Sequence, residues 1–433
     1  MAVRKAAVKL VKSTAKPGVK LVTRKPRLLY IVHNHPALAP GGSEIFAHRA
    51  FRHLRDVEKR EIFFVAACGN QYQPRHDGSA FMTLGGEQAA DEFLFHADAF
   101  DYFMQSSRQL SALAQEFAGL LRELQPEIVH IHHTLRFGME VLPLIKTTLP
   151  NAKIVYTLHD FVPICHRDGQ MLRTIQNTLC DRASPSRCHQ CFPEISPERF
   201  MVREQFIKQH LGYVDRFISP SHFLAKRYVQ WGIAPEKISV IANGRVNEMV
   251  SPRKAKSCNR FAFFGQITPY KGVIELIEAA AFLRDAPVRI DIHGSISQQT
   301  EAFQQRFHAA LEAAPDMVRY HGAYTPAQLP ALMEETDWVL VPSIWWENAP
   351  LVIDEAFAFG KPVICSGIGG MAEKVTHGVN GLHVPPGQPQ KLAEVMAHAA
   401  KDAAGYQKLQ KNIALPCSLA ESMAQHQELY ETL

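Results

Sequence analysis

The chain of 433 residues, 46% hydrophobic and 21% charged, has the composition of a soluble globular protein with room for two or three domains, and not that of a disordered or fibrous one. No run approaches eighteen consecutive apolar residues, so no membrane-spanning helix is expected. The formal charge of +5 resides at the N-terminus: residues 1–27 hold nine basic residues and no acid, leaving 38 basic against 42 acidic residues in the body, which speaks against a surface built to grip nucleic acid.

The basic leader, residues 1–26, places Val3, Ala6, Ala7, Leu10 and Val11 at helical spacing among its lysines. It reads as an amphipathic helix lying on an anionic membrane surface, as a solvated tail, or as a transit peptide. The apolar core of a secretory signal is missing, so a cytoplasmic location is expected, peripheral on the inner face of the cytoplasmic membrane under the first reading.

A first domain is expected over 27–247. Its strand candidates are "RLLYIVH" (27–33), "EIFFVAAC" (61–68), "EIVHIHH" (127–133), "KIVYTLHD" (153–160), "RFISPS" (216–221) and "ISVIANG" (238–244). Helical patterns at 43–54, 91–125, 138–148 and 197–213 separate most of them. Strands alternating with helices imply a parallel sheet covered on both faces. The polar stretch 248–257 reads as a linker. A second domain, 258–415, restarts the alternation with "RFAFFGQI" (260–267), "VRIDIHG" (288–294), "VRYHG" (318–322), "WVLVPS" (338–343) and "PVICS" (362–366), with helices at 271–284, 298–313 and 326–334 and a final helical region. The last segment, 416–433, is expected to form a helix that packs back on the first domain. The fold class is therefore α/β, with ligands bound outside the carboxyl ends of the strands and in the cleft between the two sheets.

Three loops carry groups suited to a phosphorylated ligand. Gly41 and Gly42 lie between the first strand and its helix, where bare backbone lets amides approach an anion; glycines also make ordinary turns. In "FFGQITPYKGV", Gly265, Gln266, Lys271 and Gly272 follow a strand, and Lys271 offers a compact positive charge or is simply a surface lysine. In "PSIWWENAPLVIDEAF", Pro350 suits the first helical position, which puts Glu347 in the loop above the helix and Glu355 in its first two turns. The amides around Ala349 to Val352 then face the cleft. Two solvated helix carboxylates would be the simpler reading, but Glu355 sits amid apolar residues and a buried acid needs partners. His159–Asp160, His132 and His133 are further polar groups at strand ends.

The insertion 163–193 spaces Cys165, Cys180, Cys188 and Cys191 as C-x14-C-x7-C-x2-C. Four thiolates would complete a tetrahedral structural zinc site, with His166 and His189 in reserve; a disulfide pair or four free thiols are the alternatives.

From the leader onward, "APGGSE", "TLHD", "SPSHFLAKRYVQWG", "VIANG", "FFGQITPYKGV", "GKPVICSGIGGMAE" and "GVNGLHVPPG" occur in order around the Glu347–Glu355 pair. This series resembles glycosyltransferase family 4, retaining enzymes of GT-B fold with two Rossmann-like domains facing a central cleft. The resemblance implies transfer of a sugar from a nucleoside-diphosphate-sugar to a glycan or lipid-linked acceptor, in the manner of cell-surface polysaccharide synthesis. Glu355 would hold the ribose hydroxyls. Glu347 would sit by the transferred sugar, with the backbone from Asn348 through Ala349, Pro350, Leu351 and Val352 holding its hydroxyls and the diphosphate. Lys271 would neutralise the leaving group, His159 would touch the donor sugar, Gly42 would lie near the diphosphate or acceptor, and Gly265 would belong to the donor site. No catalytic metal is required by this mechanism, which relies on positioning and on stabilising the departing charge. The chain departs from the family at Gln266, where an arginine is usual; Arg245 is the candidate replacement at the diphosphate. A nucleotide-sugar epimerase or hydrolase, or a donor-binding scaffold, remains as an alternative.

Overall fold

The computed structural model describes residues 24–69, 79–85, 91–97, 99–107, 110–245, 258–284 and 286–433. The first sheet is built from β1 (Leu28–Val32), β2 (Ile62–Cys68), β3 (Phe81–Met82), β4 (Glu92–His96), β7 (Ile128–Ile131), β8 (Lys153–Thr157), β9 (Arg216–Ser219) and β10 (Ile238–Val240), and β5 (Phe100–Asp101) and β6 (Ser106–Ser107) form a separate hairpin. The strand order is β10-β9-β8-β7-β1-β2-β4-β3, parallel except for β3. β1 is buried along its whole length between β2 and β7, with Leu28 opposite both Ile62 and Ile128, which explains its unbroken apolar run.

The second sheet contains β11 (Arg260–Phe264), β12 (Arg289–His293), β13 (Val318–Gly322), β14 (Trp338–Val341), β15 (Val363–Ser366) and β16 (Gly381–Val384) in the order β13-β12-β11-β14-β15-β16, all parallel. In the first sheet the order reverses between β1 and β7, and in the second between β11 and β14. Those two switch points are where a doubly wound sheet opens a crevice at its carboxyl edge.

Two stretches differ from the sequence expectation. Residues 91–125 do not form one helical region: Glu92–His96 is a strand paired with β2, and the helix runs only over Leu110–Leu124. Phe93 and Phe95 alternate with a period of two, and that pattern wins over the helical one once β2 offers an edge. The C-terminal helical region is likewise interrupted by β16, whose Gly381 lies so close to β15 that an added Cβ would meet Val363 O at 2.3 Å. The linker and most of the leader fall outside the described residues.

The chain crosses between the two sheets near residue 245 and returns at 416–418. Arg245 N–H donates to Cys417 O and Leu419 N–H to Arg245 O, tying the outgoing and returning segments together. Gly244 allows this approach, since a Cβ there would lie 2.4 Å from Leu419 Cα. The helix Leu419–Glu431 starts with a Ser418/Glu421 capping box and packs on the first sheet. Met423, Leu429 and Tyr430 join the core around Tyr30, and the Tyr430 and Tyr30 hydroxyls bond at 2.9 Å.

Candidate active site

The second-domain wall of the cleft is built from the loops after β11 and β14. Gly272 caps the helix Val273–Ala280 with φ +72, and a Cβ there would meet Pro342 O at 2.0 Å. Only glycine permits this packing of one loop on the other. Ile344 N–H donates to Tyr270 O, closing the seam. Lys271 Nζ thereby reaches Glu347 Oε1 at 2.7 Å, and the same oxygen accepts from Ser343 Oγ at 2.8 Å and Trp345 Nε1 at 3.0 Å. Burial opposes the charge of Glu347, but the Lys271 ammonium and these three donors hold its carboxyl below the ordinary value. The main chain is fixed from below: Gly370 N–H donates to Glu347 O, and a Cβ on Gly370 would meet Asn348 O at 1.8 Å.

Pro350 caps the helix Leu351–Ala358, so the Ala349–Val352 backbone forms its N-terminal turn. Glu355 is half-buried on this helix, and burial pushes its carboxyl up to about 7, with Arg49 lowering and Asp354 raising it. Arg49 belongs to the helix Gly42–Arg52 of the first domain, so Glu355 faces across the cleft. Its neighbour Asp354 is spoken for by Lys374.

The first-domain wall is rich in imidazole. His159 Nε2 bonds His132 Nδ1 at 3.1 Å, and His132 stacks on His130, which bonds Tyr430 and Thr157. Burial lowers His159 to about 3, so it is a neutral hydrogen-bonding group at any ordinary pH. Beside it, His133 bonds Asp160 at 3.0 Å and His33 bonds Glu44 at 2.9 Å, with the two rings 4.6 Å apart. Glu44, the acid of "APGGSE", is 5% exposed.

Several contacts bring the walls together. Asn348 Nδ2 donates to His159 O at 2.6 Å and Trp346 Nε1 to Cys180 O at 3.0 Å. Glu373 accepts from the His222 and Phe223 amides at 2.8 and 2.7 Å, at the N-terminus of the helix His222–Trp231. Glu44, Arg49, Trp346 and Glu373 are not singled out by sequence; "APGGSE", "PSIWWENAPLVIDEAF" and "GKPVICSGIGGMAE" contain three of them, and Arg49 carries no signal.

Gln266 is exposed, and Gly42 is exposed with open space where a Cβ would stand. Gly265 has φ +139 at the end of β11. Arg245 donates from Nε to Pro416 O, and its charge bears on Asp354 and Glu421, toward the crossover. All four insertion cysteines line one small cavity of about 30 Å³, and each is a free thiol. No three of their sulfurs lie within 4.8 Å of one another; among the described residues, only His35, His48 and Glu92 bring three metal-binding atoms that close. That trio is satisfied without an ion. Ala37 N–H donates to His35 Nδ1, so Nε2 carries the proton toward Glu92, and Arg55 stands 3.6 Å from the other Glu92 oxygen.

Two facing α/β sheets, with a lysine–carboxylate pair at one switch point and a neutral histidine at the strand end beside the other, define a two-domain cleft of GT-B type. The comparisons agree with this class. Residues 40–246 match the model of Glycosyltransferase Family 4, and residues 245–415 that of Glycosyl transferases group 1. Together they span most of the chain, and the chain belongs to this glycosyltransferase family. A D-inositol 3-phosphate glycosyltransferase of Jonesia denitrificans is 30% identical over 49% of the chain and 55% of its own length. A lipopolysaccharide 1,2-N-acetylglucosaminetransferase of Salmonella typhimurium is 26% identical over 57% of the chain and 65% of its own length. The chain thus spans between half and two thirds of the length of these curated relatives. The structure of Anabaena HepE in complex with UDP-glucose superimposes with a TM-score of 0.66 over 94% of this chain and 100% of that one, at 19% identity, a likeness of fold. No helix among the described residues is long and apolar enough to cross a membrane.

Proposed function

We propose that the cleft binds a nucleoside-diphosphate-sugar and transfers its sugar, with retention, to a glycan or lipid-linked acceptor. The observation that carries this reading is the Lys271–Glu347 pair, a buried carboxylate and a half-exposed ammonium held by two glycine-dependent loops at a switch point. Lys271 is placed to exchange part of its contact with Glu347 for the diphosphate, and to stabilise it as it departs. The N–H groups of Asn348, Ala349, Leu351 and Val352 supply further donors at the helix N-terminus. Glu347 accepts from sugar hydroxyls, Glu355 from ribose hydroxyls, and neutral His159 bonds the donor sugar without exchanging a proton. UDP-sugars are the donors to try first, given the ligand of the Anabaena protein.

Acceptor is proposed to enter beside the insertion 163–193, which we assign a structural role with zinc as its ion. Residues 1–27 are proposed to hold the protein on an anionic membrane surface, at the inner face of the cytoplasmic membrane. Thermal-shift screening of nucleoside diphosphates and nucleotide-sugars, followed by transfer assays on lipid-linked acceptors, tests the reading. A concentration-dependent stabilisation by one nucleotide-sugar supports it; no response to any would refute it. Donor consumption without an acceptor would instead indicate a hydrolase or epimerase, and binding without turnover a scaffold.

A further inference from the structure

Arg203, in the helix Pro197–Leu211, is 3% exposed. Its Nε, Nη1 and Nη2 donate to the carbonyls of Phe103, Pro163 and Val162 at 2.7, 2.9 and 2.8 Å. Among the described residues no carboxylate forms an ion pair with it. The neighbours whose charge bears most on it are the thiols of Cys165 and Cys188. A buried guanidinium satisfied only by neutral carbonyls keeps its charge uncompensated, which costs several kcal/mol. If the thiols are neutral, that cost stands. The insertion adds to it, with Arg167, Arg173, Arg182 and Arg187 against only Asp168 and Asp181. Four thiolates around a divalent ion would carry a net charge of −2, which offsets two of the three positive charges that the insertion's excess and Arg203 together present.

The same segment touches the donor site. Cys180 O accepts from Trp346 Nε1, and Asp181 O from Arg227. The Arg227 guanidinium lies against both rings of the Trp346–Phe223 pair, 4.7 Å from the first and 5.1 Å from the second. Trp346 immediately precedes Glu347.

We propose that Cys165, Cys180, Cys188 and Cys191 bind one thiophilic divalent cation of the Zn(II) class, which serves as the counter-charge of Arg203 and holds Cys180–Asp181 against Trp346, fixing the loop that carries Glu347. Binding replaces four S–H bonds by four S–metal bonds and releases four protons, so no redox partner is involved. Uptake draws the sulfurs inward around the cavity they already line. Cys188 and Cys191, on the short helix Pro185–Cys191, have the two-residue spacing of a chelating pair. The clasp on Trp346 rests on the donor-site reading of the Glu347 loop; the metal site does not.

Elemental analysis of the full chain produced with zinc in the medium is expected to give about one zinc per chain, at least about fivefold more than a Cys188→Ser/Cys191→Ser variant. Because that variant may misfold, Co(II) is also added to metal-free wild-type protein, where intense tetrahedral thiolate–cobalt absorption is expected. Less than about 0.2 zinc per chain, with no such absorption, overturns the site. Both readouts are independent of donor chemistry, so the site stands or falls even if no transfer is found. The clasp is tested by Trp346→Phe, which keeps a ring but loses the bond to Cys180 O. Turnover is expected to fall about fivefold or more, with zinc content unchanged and donor affinity within about twofold. Wild-type turnover in this variant overturns the coupling.

Discussion

Lowering the pH from 8 to 6 should weaken donor binding through Glu355. Its carboxyl, raised to about 7 by burial, offers ribose hydroxyls two charge-assisted acceptors only when ionised; protonated, it keeps a weaker carbonyl acceptor. The ionised fraction drops from about 0.9 at pH 8 to about 0.1 at pH 6, so affinity should fall about tenfold, or ~1.4 kcal/mol. The assay is calorimetric titration with the nucleotide-sugar found by screening, whose diphosphate has no proton to gain in this range. Glu355→Gln should bind more weakly at pH 8 and show a flat profile. The same shift has a stability consequence of opposite sense. A folded-state value above the unfolded one means the fold holds this proton more tightly, so stability drains away as pH rises from 4.5 toward 7 and the whole penalty is present at pH 8. Its ceiling is about 3 kcal/mol from the shift, less after solvent screening of a half-buried group. Glu355→Gln should therefore melt higher than wild type at pH 8, with a gap that shrinks severalfold by pH 5. A wild-type affinity constant within twofold from pH 6 to 8, or an equal slope in the Gln variant, would refute the assignment of Glu355 to the donor.

Three further outcomes follow from the geometry. Lys271→Ala removes the charge facing the leaving group and should cut kcat by about 100-fold or more, while Glu347→Gln should reduce kcat more than donor affinity, both read from steady-state kinetics against calorimetric binding. Gly272→Ala puts a Cβ against Pro342 O in a left-handed backbone conformation, so it should either abolish soluble expression or lower the melting temperature by several degrees, with wild-type melting as the contrary result. Glu373→Ala removes two charge-assisted bonds between the domains, and small-angle scattering of the free protein should show a larger radius of gyration, with KM for donor rising about two- to tenfold; an unchanged radius would show that the clasp does not hold the walls.

How much of this was legible in the sequence follows from the range of the signal. Alternating strands and helices, Pro350 at a helix start and Cys188-x2-Cys191 are local patterns, and propensity or spacing alone reveals them. Glu92–His96 was misread because its alternating phenylalanines lie beside a true helical pattern, and only the edge of β2 decides between the two. β16 is four residues long and owes its strand state to β15, which nothing within 381–384 announces. The site shows the same division. Lys271 and Glu347 were each readable in their own loops, but the bond between them spans 76 positions. Glu373 meets His222 across 151 positions and Trp346 meets Cys180 across 166. Gln266 shows another limit: a motif position draws attention to it, and the structure leaves it exposed, with Lys271, Ser343 and Trp345 as the donors to Glu347.

Those long-range bonds share one feature that bears on how the cleft works. Trp346, Asn348 and Glu373 all come from the segment that carries Glu347 and Glu355, and all three reach across to the first domain. The backbone of that segment is itself pinned, since Gly370 packs against Asn348 with no room for a methyl group. If this element binds the donor, as the proposed function has it, it cannot respond to the ligand without moving against the opposite wall. The Asn348 amide makes the point atom by atom: Nδ2 is committed to His159 O, while Oδ1 is buried without a protein partner. A buried acceptor left open at this helix N-terminus is an incentive for a hydroxyl-bearing ligand to complete it. Under the proposed function, donor binding and the approach of the two walls would be coupled through Asn348, and the same bond would set His159 beside the sugar.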